Sequence, residues 1–167
     1  MPKFAARRRP VPDRRTVIPA ALLILLATAA VFLSVLLVRS ADARKAKAAV
    51  EQFYAYEQAG DYGSSWELFH SRMKERYAKD VYIQARAYIF MNQLGARTFT
   101  YEVGDAKRVS VWRMEEESEP MSGVFRMPVI QHMDTVFGSL EIRQNVYAAR
   151  EDGEWKLLWP FGGREES

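Results

Sequence analysis

Residues 17–38, VIPAALLILLATAAVFLSVLLV, contain no charged side chain. As a helix rising about 1.5 Å per residue, this run spans about 33 Å, enough to cross a hydrocarbon core of about 30 Å. An apolar helix of that length has no place inside a small water-soluble domain. It therefore splits the chain into a short basic tail (residues 1–16), a membrane-crossing helix (17–38) and a polar remainder. Pro19 falls in the first turn of the span, where a missing backbone N–H costs little. No G-x-x-x-G pattern occurs in the span, so no dimerisation signal of that kind is present.

The charges follow this division. Residues 1–16 hold six Lys and Arg against Asp13, a net of +5, while residues 40–167 hold 17 Lys and Arg against 20 Asp and Glu, a net of −3. The formal net charge of +3 and pI near 9.2 therefore belong to the tail. A basic patch abutting an apolar span serves topology and anionic headgroups. The folded part lacks the electrostatic footprint of a nucleic-acid binder. Basic residues flank both ends of the span: six before it, and Arg39, Arg44, Lys45 and Lys47 after it. The excess favours a cytoplasmic N-terminus and a translocated C-terminal domain. The alternative is secretion after cleavage near Ala43, since Ala41-Asp42-Ala43 has the small-x-small form of a signal-peptidase site. A signal core is usually about 7–15 residues, shorter than this run. The chain has no cysteine, which excludes disulfides, thiolate metal sites and Cys nucleophiles.

Residues 39–45 read as a polar, Ala-rich stalk, and residues 46–161 as one domain of ordinary size. Ala46, Val50, Phe53 and Tyr54 recur at helical spacing, with Gly60 as a stop and Asp61 as the next cap. A second helix is expected over residues 62–77, with a break near Ser71. Its stripe is Trp66, Phe69, Met73 and Tyr77. A third is expected over 81–94, capped by Asp80, and its apolarity on nearly every face predicts burial. After Gly95 the period changes to two. Strands are expected at 97–103, 109–112, 124–133, 139–150 and 155–159. An Asp152-Gly153 turn separates the last two, and residues 162–167 form a tail. Helices first, then consecutive antiparallel strands, argue for an α+β fold with a curved sheet wrapped over a helical layer.

Two stretches carry a resemblance to a known family. VEQFYAYEQAGDY (residues 50–62) leads into a helix with Trp66 and Phe69. MDTVFGSLEIRQNVYAAREDGEWKLLWPF (residues 133–161) places Thr135, Gly138, Glu151, Asp152, Gly153, Trp155, Lys156 and Trp159 in a turn–strand–turn–strand pattern. Together they resemble the nuclear-transport-factor-2-like, or cystatin-like, cone domain. The closest likeness is to the N-terminal non-catalytic domain of methicillin-resistance-type penicillin-binding proteins. The resemblance implies a non-catalytic extracytoplasmic domain held by an N-terminal anchor. With no transpeptidase after residue 167, it implies a stand-alone module at the bacterial envelope. The expected partners are the lipid bilayer and an envelope protein such as a penicillin-binding protein.

Candidate chemistry is sparse. Ser71-Arg72-Met73-Lys74 fits S-x-x-K, but the S-D-N and K-T-G partners of penicillin-recognising enzymes are absent. His70 and His132 are the only histidines, and their spacing matches no metal motif. Glu115, Glu116, Glu117 and Glu119 read as a charged solvated loop. No catalytic residue, metal ligand or cofactor is expected. Cone domains do host isomerases, cyclases and dehydratases, so the alternative is a small-molecule binder or enzyme. Its pocket, or else its plain core, would be lined by Tyr54, Trp66, Tyr82, Phe90, Phe125 and Trp155.

Overall fold

The computed structural model describes residues 14–161 and, from residue 22, their side chains. Most of both expected tails lies outside these residues. The chain divides into two compact units, Met1–Ser40 and Ala41–Ser167. A single helix, α1 (Arg14–Gln58), runs through the first and into the second. It begins within the expected tail, so Pro19 lies inside the helix rather than in its first turn. Every side chain from residue 22 to residue 40 is exposed. This helix, with a mean hydropathy of 2.5 over its apolar window, is long and apolar enough to cross a membrane. A signal sequence has the same properties.

In the second unit, α1 buries Ala46, Val50, Phe53, Tyr54 and Glu57 along one stripe. It stops at Gly60, whose φ of 75° reverses the chain. Asp61 then caps α2 (Tyr62–Glu67), its carboxylate accepting from the Ser64 N–H at 3.0 Å. The helix expected over residues 62–77 is broken by a long-range partner. His70 N–H donates to the Leu157 carbonyl at 3.0 Å, and Leu157 N–H donates to the Leu68 carbonyl at 2.9 Å. The backbone around Phe69 thus runs alongside the last strand before α3 (Ser71–Arg76) resumes.

The third helical stretch begins two residues earlier than expected, as α4 (Lys79–Ala87). Ala78 stands at its N-cap, and Asp80 lies in the first turn rather than at the cap. It continues as a π-helical segment (Tyr88–Gln93). Expected to be buried all round, it buries only Tyr82 and Phe90. Val81, Tyr88, Ile89 and Met91 are exposed, because no described element covers the outer side.

The strands form an open antiparallel sheet. They are β1 (Thr100–Val103), β2 (Lys107–Val109), β3 (Val124–Thr135), β4 (Gly138–Glu151) and β5 (Glu154–Leu158). Both β1 and β2 pair with β3, which pairs with β4, which pairs with β5. Proline is out of place in most strand interiors because it lacks an N–H. Pro128 is accommodated where β1 gives way to β2. There Gly104 donates its N–H to the Pro128 carbonyl at 2.8 Å. A Cβ at position 104 would come within 2.6 Å of the proline ring, so the approach requires glycine.

Alternate residues of β3 (Phe125, Met127, Val129, Gln131 and Met133) are buried. The apolar ones join Val146, Ala148, Leu157 and the apolar residues of the α1 stripe in one hydrophobic cluster. Trp159 closes it, its ring 5.8 Å from Phe53 and 5.1 Å from Phe69, both edge-on.

Candidate functional site

A charged residue on the buried stripe of α1 organises the only group in the domain that combines several polar side chains with near-complete burial among the described residues. Glu57 lies one turn before Gly60, and its side chain is wholly buried. Ser65 of α2 donates its hydroxyl to Glu57 Oε1 at 2.5 Å, and Tyr82 of α4 donates to the same oxygen at 2.7 Å. Arg86, one turn beyond Tyr82, donates its Nε–H to Oε2 at 2.6 Å and forms the ion pair through Nη2. Three helices thus converge on one carboxylate. A buried carboxylate without partners would cost several kcal/mol, and here an ion pair and hydrogen bonds offset that cost.

The electrostatics follow from burial and proximity. Burial pushes the Tyr82 phenol up, and the Glu57 charge pushes it further, so the phenol stays protonated as a donor. Burial opposes charge on Arg86, but Glu57 and Tyr82 outweigh it and hold its pKa above the ordinary value. Tyr54, next along the stripe, is pushed up to about 12, chiefly by burial. Its hydroxyl accepts from Gln144 Nε2 at 2.5 Å. Both Glu57 oxygens are engaged by donors. The arrangement is built to lock helices together. A general base needs an approachable lone pair within reach of a substrate proton, and none is offered here.

Of the six aromatic positions expected to line a pocket or core, Tyr54, Tyr82, Phe90 and Phe125 belong to the hydrophobic core cluster, and Trp66 and Trp155 pack against it. Tyr54 and Phe90 both meet Phe99, at ring distances of 6.5 and 5.5 Å. Tyr82 packs edge-on against Phe69 at 5.0 Å. Phe125 and Trp155 pair edge-on at 5.3 Å. Trp66 lies at the rim. Its indole N–H donates to the Tyr77 carbonyl at 2.8 Å, and Lys74 and Lys79 sit over its ring. The indole nitrogens of Trp155 and Trp159 are buried without a hydrogen-bond partner. Two surface concavities, of about 640 and 470 Å³, lie elsewhere. The first is lined by Pro128, Ile130, Arg143, Asn145, Pro160 and Phe161 among others, the second by residues that include Arg97, Phe99 and His132.

The short motifs resolve into structural contacts. Lys74 Nζ turns from Ser71 to the Glu67 carboxylate at 3.3 Å, so no Ser–Lys dyad forms. Ser71, His70 and Glu151 are neighbours, but both the Ser71 hydroxyl (3.3 Å) and Glu151 (3.5 Å) approach the same nitrogen, His70 Nδ1. A catalytic triad needs the two on opposite ring nitrogens. Instead, Nδ1 accepts from the Arg72 N–H at 3.2 Å and the Glu151 carboxylate accepts from the Ser71 N–H at 3.0 Å, which together cap α3. Burial lowers the His70 pKa despite Glu151. Glu151 is itself held low by its hydrogen bonds from Ser71, which outweigh burial. His132 pairs with Glu141 at 3.3 Å, ten residues along β4 from Glu151, so the two histidines are not brought together. The acidic loop is tied to α3, with Glu115 paired to Arg76 and Glu119 to Arg72.

Sequence reasoning passed over Glu57 and Arg86. The signal was present: Glu57 continues the 46–50–53–54 stripe, and Tyr82 and Arg86 stand four apart on the helix expected to pack nearby. Neither a known protein family nor a curated protein matches this chain.

Proposed function

We propose that this chain is a non-enzymatic, membrane-anchored module that presents an extracytoplasmic domain to a protein partner at the bacterial cell envelope. The domain would be a nuclear-transport-factor-2-like cone, with the N-terminus cytoplasmic. The order of helices and strands and the basic residues before the span support that reading, and the likeness to penicillin-binding-protein N-terminal domains points to wall synthesis. One observation carries the interaction role. The interior is packed with aromatic side chains around a fully engaged Glu57, while the outer side of α4 and the π-helical segment leaves Val81, Tyr88, Ile89 and Met91 exposed. Val81, Tyr88 and Ile89 recur at seven and eight residues, on one helical face. Contiguous exposed apolar side chains mark an interaction surface. A π-helical segment often accompanies functional sites.

The test is cross-linking and recovery of the full-length protein from its native membrane, beside a Tyr88→Asp/Met91→Asp variant. The reading expects a penicillin-binding or other envelope protein with the wild type and its loss with the variant. A small molecule co-purifying with the wild type, and no protein, would support the alternative of a ligand-binding or catalytic domain.

A further inference from the structure

Strand β4 is accompanied along one edge for most of its length and along the other only at one end. β3 runs beside it from Ala148 to Gly138, whereas β5 accompanies only Tyr147–Glu151. Among the described residues no strand lies beside residues 139–146 on that second edge. The turn into β5 fixes which backbone groups face it. Glu151 and Glu154 flank a two-residue turn with φ of 50° at Asp152 and 86° at Gly153. Residues flanking such a turn exchange both backbone hydrogen bonds. The odd-numbered residues of β4 therefore direct their N–H and C=O groups away from β3. The Gly104 bond to the Pro128 carbonyl gives the same parity, because Pro128 stands opposite Asn145 and faces away from β4. Ser139, Glu141 and Arg143 thus aim their backbone groups at the open edge.

We propose that two copies of this chain pair antiparallel along this edge, about a two-fold axis at Ile142. Charge selects the register. With the axis at Ile142, Glu141 of each copy lies opposite Arg143 of the other. An axis at Glu141 sets two carboxylates face to face, and one at Arg143 sets two guanidiniums face to face; like charges directly opposite are destabilising. Glu141 already holds Arg143 of its own strand, Nε to Oε1 at 2.5 Å, and His132 at 3.3 Å. Pairing joins two such clusters across the axis, and an open row of backbone groups is a template for another strand.

Because the chain has no cysteine, one introduced thiol reports one position. In the full-length protein in its own membrane, Ile142→Cys should form a disulfide-linked dimer on mild oxidation. Opposed residues that do not share hydrogen bonds have Cα atoms about 4.5 Å apart, within disulfide reach. Leu140→Cys or Gln144→Cys alone should not cross-link, since like positions are then four residues, about 14 Å, apart; combined in one chain they should. Glu141→Arg should abolish the Ile142→Cys dimer, and adding Arg143→Glu should restore it. The wild type in mild detergent should have the mass of two chains. A wild-type monomer, equal cross-linking at 140, 142 and 144, or no rescue by the charge swap would overturn the proposal. The pairing does not depend on which partner the α4 surface holds.

Discussion

The two halves of α1 share one helical geometry and differ in everything around it. Over residues 22–38 every side chain is exposed and none is charged. Over residues 41–58 only one stripe is buried, and Lys, Arg, Glu and Gln occupy the other faces. A striped helix carries in its own sequence the demand for a packed neighbour on one side and water on the other. A helix apolar all round demands an apolar solvent on every side. The contrast extends to the tolerance of charge. The second half buries Glu57 because three neighbours supply its donors; a lipid-facing helix would have no such donors, and residues 17–38 carry no charge.

The largest expected effect is at Glu57. Glu57→Ala leaves the Arg86 guanidinium and two hydroxyls without their acceptor. It should destabilise the domain by about 3–5 kcal/mol, the range for breaking a buried pair from one side. Denaturant unfolding of the full-length protein in detergent measures it. A loss below about 1 kcal/mol would mean that the cluster is not what holds α1, α2 and α4 together.

Next is a charge in the other half. Leu26→Arg should cost about 2.5–3.5 kcal/mol of membrane insertion. It should weaken retention in the membrane fraction while leaving the domain's unfolding midpoint where it was. A lowered midpoint with unchanged retention would show the first half packing against protein rather than lipid.

The smallest effect is on pH dependence. Burial holds the folded-state pKa of His70 below its ordinary 6.5, so the unfolded chain binds that proton more readily. The stability involved is fully present above about pH 6.5 and is lost as pH falls towards the folded value. Glu151, held below 4.5, adds a second loss at lower pH. His70→Asn keeps a capping acceptor but does not titrate. It should flatten the pH dependence of the midpoint just below about pH 6.5; an unchanged slope there would assign the dependence to other groups.

Much of this architecture was legible in local pattern. The stripe of α1, the Gly60-Asp61 boundary, the switch to a period of two after Gly95 and the Asp152-Gly153 turn each depend on residues close in sequence. What escaped depends on distant ones. The break after α2 was expected near Ser71, but its cause was not: Leu68 and His70 bond to Leu157, a partner the local sequence cannot name. The exposure of Val81, Tyr88, Ile89 and Met91 escaped because periodicity reports which faces are apolar, not whether anything covers them. Aromatic residues at Tyr54, Trp66, Tyr82, Phe90, Phe125 and Trp155 signalled the tendency to bury; whether they enclose a space is a matter of three-dimensional packing. Glu57 was hidden because a glutamate on a helix reads as solvent-facing unless its donors, here on α2 and α4, are found.

The most direct test is protease accessibility of the full-length protein in intact spheroplasts, with one tag on each terminus. The account predicts that external protease removes the C-terminal tag, that the N-terminal tag survives in a membrane-bound fragment, and that carbonate washing does not release the chain. A protected C-terminal tag, or a soluble product starting near residue 44, would contradict a translocated domain held by an uncleaved anchor.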